Sequence, residues 1–215
     1  MNPLALQTRL KAAGYDPGPV DGYLGPRTFG ALLLTVGGSR LPTGRISALA
    51  TACAEHLPDF GITTRLRIVH MLAQLAHETA GWRFLEEVGG PTYLSKYDGR
   101  RDLGNVRPGD GARFKGRGPI QVTGRSNYRA YGRRIGLDLE AAPERAADPM
   151  IGMHIACLYW SDHGLNAYAD ADNGRAIGRA INRGNAHSPR PANGEADRLE
   201  RVAELKAVWP ETVTA

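Results

Sequence analysis

One change of pattern constrains this chain more than any other feature. From about residue 45 to residue 208, apolar residues recur at helical spacing. That spacing breaks down over residues 86–119, where Gly, Pro, Asp and Tyr crowd together. A mainly α fold follows. Ile46 to Leu57 forms one amphipathic stretch. Thr63 or Thr64 is a good N-cap for a long helix ending near Ala80. Further helices are expected over Asn127–Ile135, Pro149–His163, Asn173–Ile181 and Glu195–Val208. Ile120-Gln-Val-Thr is a short β-like run. The 86–119 segment is far longer than a usual connection, and such loops tend to be functional or disordered. Tyr93, Tyr97 and Phe114 within it argue for order.

The first 36 residues form a small helical unit. Leu6, Leu10 and Ala13 share one helix face, Gly14 ends that helix, and DPGPVDGYLGPRT is a turn-rich connection. Pro26 suits the start of a second helix, Arg27–Val36, where its missing N–H costs little. GGSRLPTG, residues 37–44, has a linker's composition. The expected organisation is a small unit over 1–38, a linker over 39–44 and a helical domain over 45–215. With 215 residues, 42% of them hydrophobic, the chain can bury a sizeable core, and a collagen-like or disordered chain is excluded. No apolar run is long enough for a membrane span. The N-terminus has no apolar signal core, so a standard secretory route is not expected.

Lys and Arg exceed Asp and Glu by 27 to 22, a net +5 that favours an anionic partner. A nucleic-acid reader usually concentrates its charge on one element. Here Arg is scattered from Arg9 to Arg201, and nucleic acid is not the expected partner. Cys53 and Cys157, each in a helical apolar stretch, are expected as buried free thiols. No CxxC pattern offers a thiolate zinc site.

Met71, Leu75 and Glu78 fall at i, i+4 and i+7 and so share a face. Glu78 ends a partly apolar stripe beside Gln74, where desolvation raises a carboxyl pKa. A protonated carboxylic acid is what a glycosidase needs to protonate a leaving oxygen. A helix-terminal Glu that merely faces water is the alternative, although it would oppose the macrodipole. His77-Glu78 is not a zinc-protease motif, because Gly81 stands where HExxH needs its second His; His70 and His77 are expected to be structural. Glu86 and Glu87 follow in the next loop, as a solvated pair or as a second carboxylate across a cleft. A gap of ~6.5–9.5 Å would accommodate a water and give inversion, whereas ~5–5.5 Å would give retention. In RFKGRGPIQVTGRSNY, Gly116 and Gly118 let the backbone approach a bulky ligand, or build an ordinary Gly-rich hairpin. Gln121, Thr123 and Asn127 offer neutral groups suited to sugar hydroxyls and acetamides. The segment lacks the P-loop pattern. DADNG, 170–174, fails the calcium-loop register, and helix capping by Asp172 or Asn173 explains it better.

Taken together, AHETAGW, Glu86-Glu87, KGRGPIQVTGRSNY, AINRG and ADRLER resemble glycoside hydrolase family 19, over roughly residues 45–209. LQTRLKAAGYDPGPVDGYLGPRTFGALL resembles a small peptidoglycan-binding module, shortened and without a clear third helix. The resemblance implies a lysozyme-like α-helical catalytic domain with a short β hairpin, beside a small helical wall-binding module. It implies Glu78 as general acid and Glu87 as the carboxylate that activates water, with Glu86 as the neighbour open to confusion. Thr123 would help hold that water. Gln121, Asn127, Asn182 and Arg198 would bind substrate, Arg198 also pairing with the catalytic carboxylates. Ile-Asn-Arg-Gly in place of the family's Asn-Gly pair, the insertion NAHSPRPANGE and Ser126 depart from the pattern and bear on the outer sugar subsites. No metal and no cofactor are implied.

The expected function is that of an endolysin, cleaving β-1,4 bonds between amino sugars of peptidoglycan by a two-carboxylate, inverting mechanism. Its partner would be the wall polysaccharide. Neither nucleic acid nor stable membrane insertion is expected, and a monomer suffices. The enzyme would be made in the bacterial or host cytoplasm and reach the wall through a holin or another export route. A chitinase using the same residues and a non-catalytic wall-binding or phage structural protein are the alternatives.

Overall fold

The computed structural model describes residues 2–38 and 41–211. Among the described residues, four helices start on a side-chain cap. Helix α1 (Pro3–Ala12) is capped by the Asn2 side chain, and α2 (Pro26–Gly37) places Pro26 in its first turn. Helix α3 spans Thr43–His56. Helix α4 (Arg65–Glu78) starts at Thr64, whose hydroxyl accepts from the Arg67 N–H. Two single-turn helices, α5 (Pro91–Leu94) and α6 (Asp110–Arg113), lie in the long irregular segment. Then come α7 (Arg125–Arg134), α8 (Pro149–Asp162, capped by Asp148), α9 (Leu165–Asp170), α10 (Gly174–Arg183, capped by Asn173) and α11 (Glu195–Val208). Asp172 is not a cap: it pairs with His70 and Lys206. The short β hairpin expected around residue 120 is reduced to two isolated antiparallel bridges, Glu86 with Arg117 and Arg117 with Val122.

Helix α4 stops at Glu78 rather than near Ala80, because Ala80, Gly81 and Trp82 adopt left-handed φ values of +50°, +69° and +64° in succession. For Ala and Trp that conformation costs of order ~1–3 kcal/mol each. Local bonds sustain it. The Thr79 hydroxyl donates to the Leu75 carbonyl and accepts from the Trp82 N–H, and the buried Trp82 indole donates to the Leu33 carbonyl.

Helix α4 is the central element. Ile68 through Ala76 are all buried, and the helix packs on α2, α9, α10 and α11. Helix α3 lies between α2 and α8. Leu6, Leu10, Phe29, Leu32, Leu33 and Val36 of the N-terminal unit belong to the same continuous apolar core as Leu72, Trp82, Trp160 and Trp209. Polar ties cross the same seam: Arg201 of α11 donates to the Val36 carbonyl. A methyl group on Gly81 would sit 3.1 Å from the Gly37 carbonyl oxygen, so these two turns require close backbone approach. The stretch with a linker's composition is therefore a short connection, with α2 reaching Gly37 and α3 beginning at Thr43; Ser39 and Arg40 lie outside the described residues. Helix α3 packs on α2, and α1 packs on α2 and α11. Cys53 and Cys157 are buried free thiols. No helix among the described residues is long and apolar enough to cross a membrane.

The 86–119 segment is ordered by side chains that bond backbone. Buried Asn105 donates to the Tyr97 carbonyl and accepts from the Arg125 N–H. Asp98 accepts from the N–H groups of Gly109 and Gly111, and Asp110 forms an ion pair with Arg125. These bonds replace the regular ladders that the sequence cannot form there.

Candidate active site

Glu78 lies at the C-terminal end of α4, where helical spacing sets it one turn beyond Gln74. Arg198 of α11 reaches across to both. Its guanidinium donates to Glu78 Oε1 at 2.5 Å, to Gln74 Oε1 at 2.7 Å and to the Asn193 carbonyl at 3.0 Å. The Arg198 side chain is 2% exposed and Glu78 19%. Arg198 is expected both to bind substrate and to pair with the catalytic carboxylates; the structure buries it against three protein acceptors, Glu78 among them. A methyl on Gly178 of α10 would meet Arg198 Cδ at 3.2 Å, so that glycine makes room for the guanidinium. His77 is held by Asp197 at 2.5 Å, and Asp197 also accepts from Arg201. His70 pairs with Asp172 at 2.7 Å. Both histidines thus have structural carboxylate partners.

Glu87 is placed by the bridged turn. Its N–H donates to the Gly116 carbonyl at 2.8 Å, and the Gly116 N–H donates back to Glu87 Oε2 at 3.0 Å. The Tyr97 hydroxyl donates to Oε1 at 3.0 Å, and the Lys96 ammonium stands 3.7 Å from the same oxygen. A Cβ built on Gly116 would lie 2.7 Å from Gln121 Oε1, 3.4 Å from Glu87 Oε2 and 3.4 Å from Thr123 Oγ1. Three polar side chains therefore converge over one bare backbone position. Glu86 projects elsewhere, to Lys115 at 3.1 Å and Arg117 at 3.3 Å. Burial pushes the Glu86 carboxyl up, but those two cations outweigh it and hold the group below the ordinary glutamate value.

Gln121 has φ +57° and its amide donates to the Gly118 carbonyl. A left-handed glutamine is a strained feature of the kind that clusters at functional sites. Thr123 donates to the Gln121 carbonyl, and exposed Asn127 donates to the Thr123 carbonyl, so these three residues form one bonded turn. Asn182 stands apart from them. Its side-chain oxygen accepts from the Asn193 N–H, which joins it through Asn193 to Arg198. The structure thus groups the residues in two sets: Glu78 with Gln74, Arg198 and Asn182, and Glu87 with Thr123, Gln121 and Asn127. Sequence reasoning missed the Tyr97 contact with Glu87. Tyr97 lies in an aperiodic loop, where spacing carries no information on facing. A cavity of about 570 Å³ is lined by residues that include Thr35, Arg83, Asp197, Arg201 and Glu204, and by neither Glu78 nor Glu87. Among the described residues, no group of three His, Cys, Asp or Glu side chains is arranged to hold a metal ion.

Comparison with known proteins decides the family. The family described as chitinase class I, glycoside hydrolase family 19, matches residues 46–172, more than half the chain. The chain belongs to glycoside hydrolase family 19. A putative peptidoglycan-binding domain matches residues 2–32. An endochitinase of Arabidopsis thaliana (At2g43620) is 30% identical over 188 residues, 84% of this chain and 63% of that relative, so the chain spans less than two thirds of the plant protein. A glycosyl hydrolase family 19 domain-containing protein of Haemophilus influenzae is 26% identical over 168 residues, 65% of this chain and 82% of that protein. The fold is shared with chitinase C of Streptomyces griseus, at a TM-score of 0.69 and 22% identity, over 87% of this chain and 94% of the other. The lysozyme-like helical architecture of family 19 is therefore present here, beside a helical N-terminal module.

Proposed function

We propose that this family 19 domain is a peptidoglycan hydrolase of the endolysin type, cutting β-1,4 links between amino sugars by single displacement. Glu78 delivers a proton to the bridging oxygen. A water held between Glu87 and Thr123 attacks the anomeric carbon, gives its proton to Glu87, and leaves the new reducing end with inverted configuration. The observation that carries this reading is the convergence of Glu87, Thr123 and Gln121 over Gly116, with the Glu87 carboxylate held at both oxygens. Glu86, occupied by Lys115 and Arg117, is less suited to be the base. Gln121, Asn127 and Asn182 are the proposed sugar contacts.

Peptidoglycan is favoured over chitin by the N-terminal match to a peptidoglycan-binding domain. In that unit Tyr23 is 68% exposed, and its ring edge lies close enough to Gly25 that a Cβ there would be 2.8 Å away. An exposed aromatic of this kind is suited to stack on a sugar. The chain would act as a monomer on the bacterial wall, after synthesis in the cytoplasm and release by a holin or comparable route. Digestion of purified peptidoglycan and of chitin in parallel, with mass spectrometry of borohydride-reduced fragments, tests the reading. Disaccharide-bearing muropeptides are the expected product. Turnover of chitin alone would replace peptidoglycan by chitin, and no turnover of either would leave a wall-binding protein.

A further inference from the structure

We propose that Tyr97 is a positioning residue for the reaction, orienting the Glu87 carboxylate through the hydrogen bond it donates to Oε1. The inference rests on the assignment of Glu87 as the base. That carboxylate is gripped from two directions, Oε2 by the Gly116 N–H and Oε1 by the Tyr97 hydroxyl, each at 3.0 Å. Rotation of the carboxylate about its last torsion breaks at least one of these bonds. An ionised carboxylate has about four lone-pair sites. Two donors therefore orient it and still leave capacity to accept a proton from water. The Thr123 hydroxyl proton goes to the Gln121 carbonyl, so its oxygen remains an acceptor for the same water.

Tyr97 is itself firmly placed. Its carbonyl is tied to buried Asn105, which is tied in turn to the first residue of α7. The Lys96 ammonium lies 3.3 Å from the Tyr93 ring centroid and 4.6 Å from that of Tyr97. Burial and the Glu87 charge push the Tyr97 phenol above the ordinary tyrosine value, so it stays a donor. The groups facing Glu87 are Lys96 and Tyr97 from their own turn, and Glu86 with its partners Lys115 and Arg117. Tyr128 of α7 also senses both glutamates. Lys96 is 41% exposed, and a contact of that kind is weak and screened. Tyr97 provides the directional contact.

The test is the pH dependence of kcat and KM for Tyr97→Phe, which removes one oxygen and keeps the ring beside Lys96. A hydrogen bond to the ionised form favours that form. Its loss should move the acid limb of the profile to higher pH and lower kcat about 10- to 100-fold, with KM little changed. Site-specific 3-fluorotyrosine at position 97, nearly isosteric and a stronger donor, should move the limb the other way, and it serves if Tyr97→Phe does not fold. In a Glu87→Gln background, Tyr97→Phe should cause no further loss of residual turnover. An unmoved acid limb in both position-97 variants, or an equal further loss in the Glu87→Gln background, overturns the inference. Wild-type turnover by Glu87→Gln alone would instead overturn the assignment on which it rests.

Discussion

Replacing Arg198 by methionine should cost about 3–5 kcal/mol of folding free energy, the usual result of removing one partner from a buried ion pair. Methionine keeps the stem that packs against Gly178 and removes the guanidinium, so the loss falls mainly on polar contacts. Glu78 loses a donor at 2.5 Å, although its 19% exposure lets water recover part of the solvation and draws the cost toward the lower end. Gln74 gains nothing from water. It is fully buried, its amide nitrogen already has no partner, and its oxygen would lose the bond from Arg198. A stranded buried acceptor alone costs about 1–3 kcal/mol. In a domain of this size each kcal/mol moves Tm by roughly 2–4 °C, so a fall of about 6–20 °C is expected. Calorimetry or circular dichroism measures it. The same substitution in a Glu78→Gln background should cost about 0.5–3 kcal/mol less, because a neutral amide does not need a cation. A Tm equal to wild type, or an identical cost in both backgrounds, would refute the coupling of Arg198 to Glu78.

Deleting residues 1–38 should leave a chain that does not fold cooperatively, because Leu32, Leu33 and Val36 share a core with Trp82 and Arg201 bonds the Val36 carbonyl. A truncated protein with the wild-type melting curve would show that the two units are independent. Acid stability should depend on Glu140, which Arg129 and Arg125 hold at about 2, against 4.5 for a free glutamate. Its folded-state value is depressed, so its contribution is complete above about pH 4.5 and fades as pH falls toward 2. Glu140→Gln should flatten the acid arm of the Tm–pH curve. An acid arm of unchanged slope would show that the pair contributes little.

Much of this architecture was legible from residue spacing because helices announce themselves locally. Thr64, one of the two caps the sequence offered, and Asn173 cap their helices, Pro26 starts α2, and α11 spans the expected Glu195–Val208. The six-residue α9 was missed, being too short for a period to register. The end of α4 was misplaced by two residues, since the left-handed run Ala80–Trp82 depends on long-range bonds such as that from the Trp82 indole to Leu33. The same limit applies to the site. Glu78 and its neighbour Gln74 are one helical turn apart and could be read together. Their shared partner Arg198 lies more than a hundred residues away and came only through family resemblance. Tyr97 and Glu87 are near in sequence, but the loop between them has no period to say which side chains meet. The seam between the N-terminal unit and the rest was hidden by composition, because the stretch at Gly37 has a spacer's composition, yet Gly37 packs against Trp82.

The most direct measurement is the release of reduced muropeptide fragments from purified peptidoglycan by wild type and by Glu78→Gln, Glu87→Gln and Glu86→Gln, each first shown to melt as a folded protein. Wild type should liberate fragments cut at a β-1,4 amino-sugar link. Glu78→Gln should liberate none, Glu87→Gln should lose most of the activity, and Glu86→Gln should keep far more than either. Fragment release by Glu78→Gln at the wild-type rate would contradict the account at its centre.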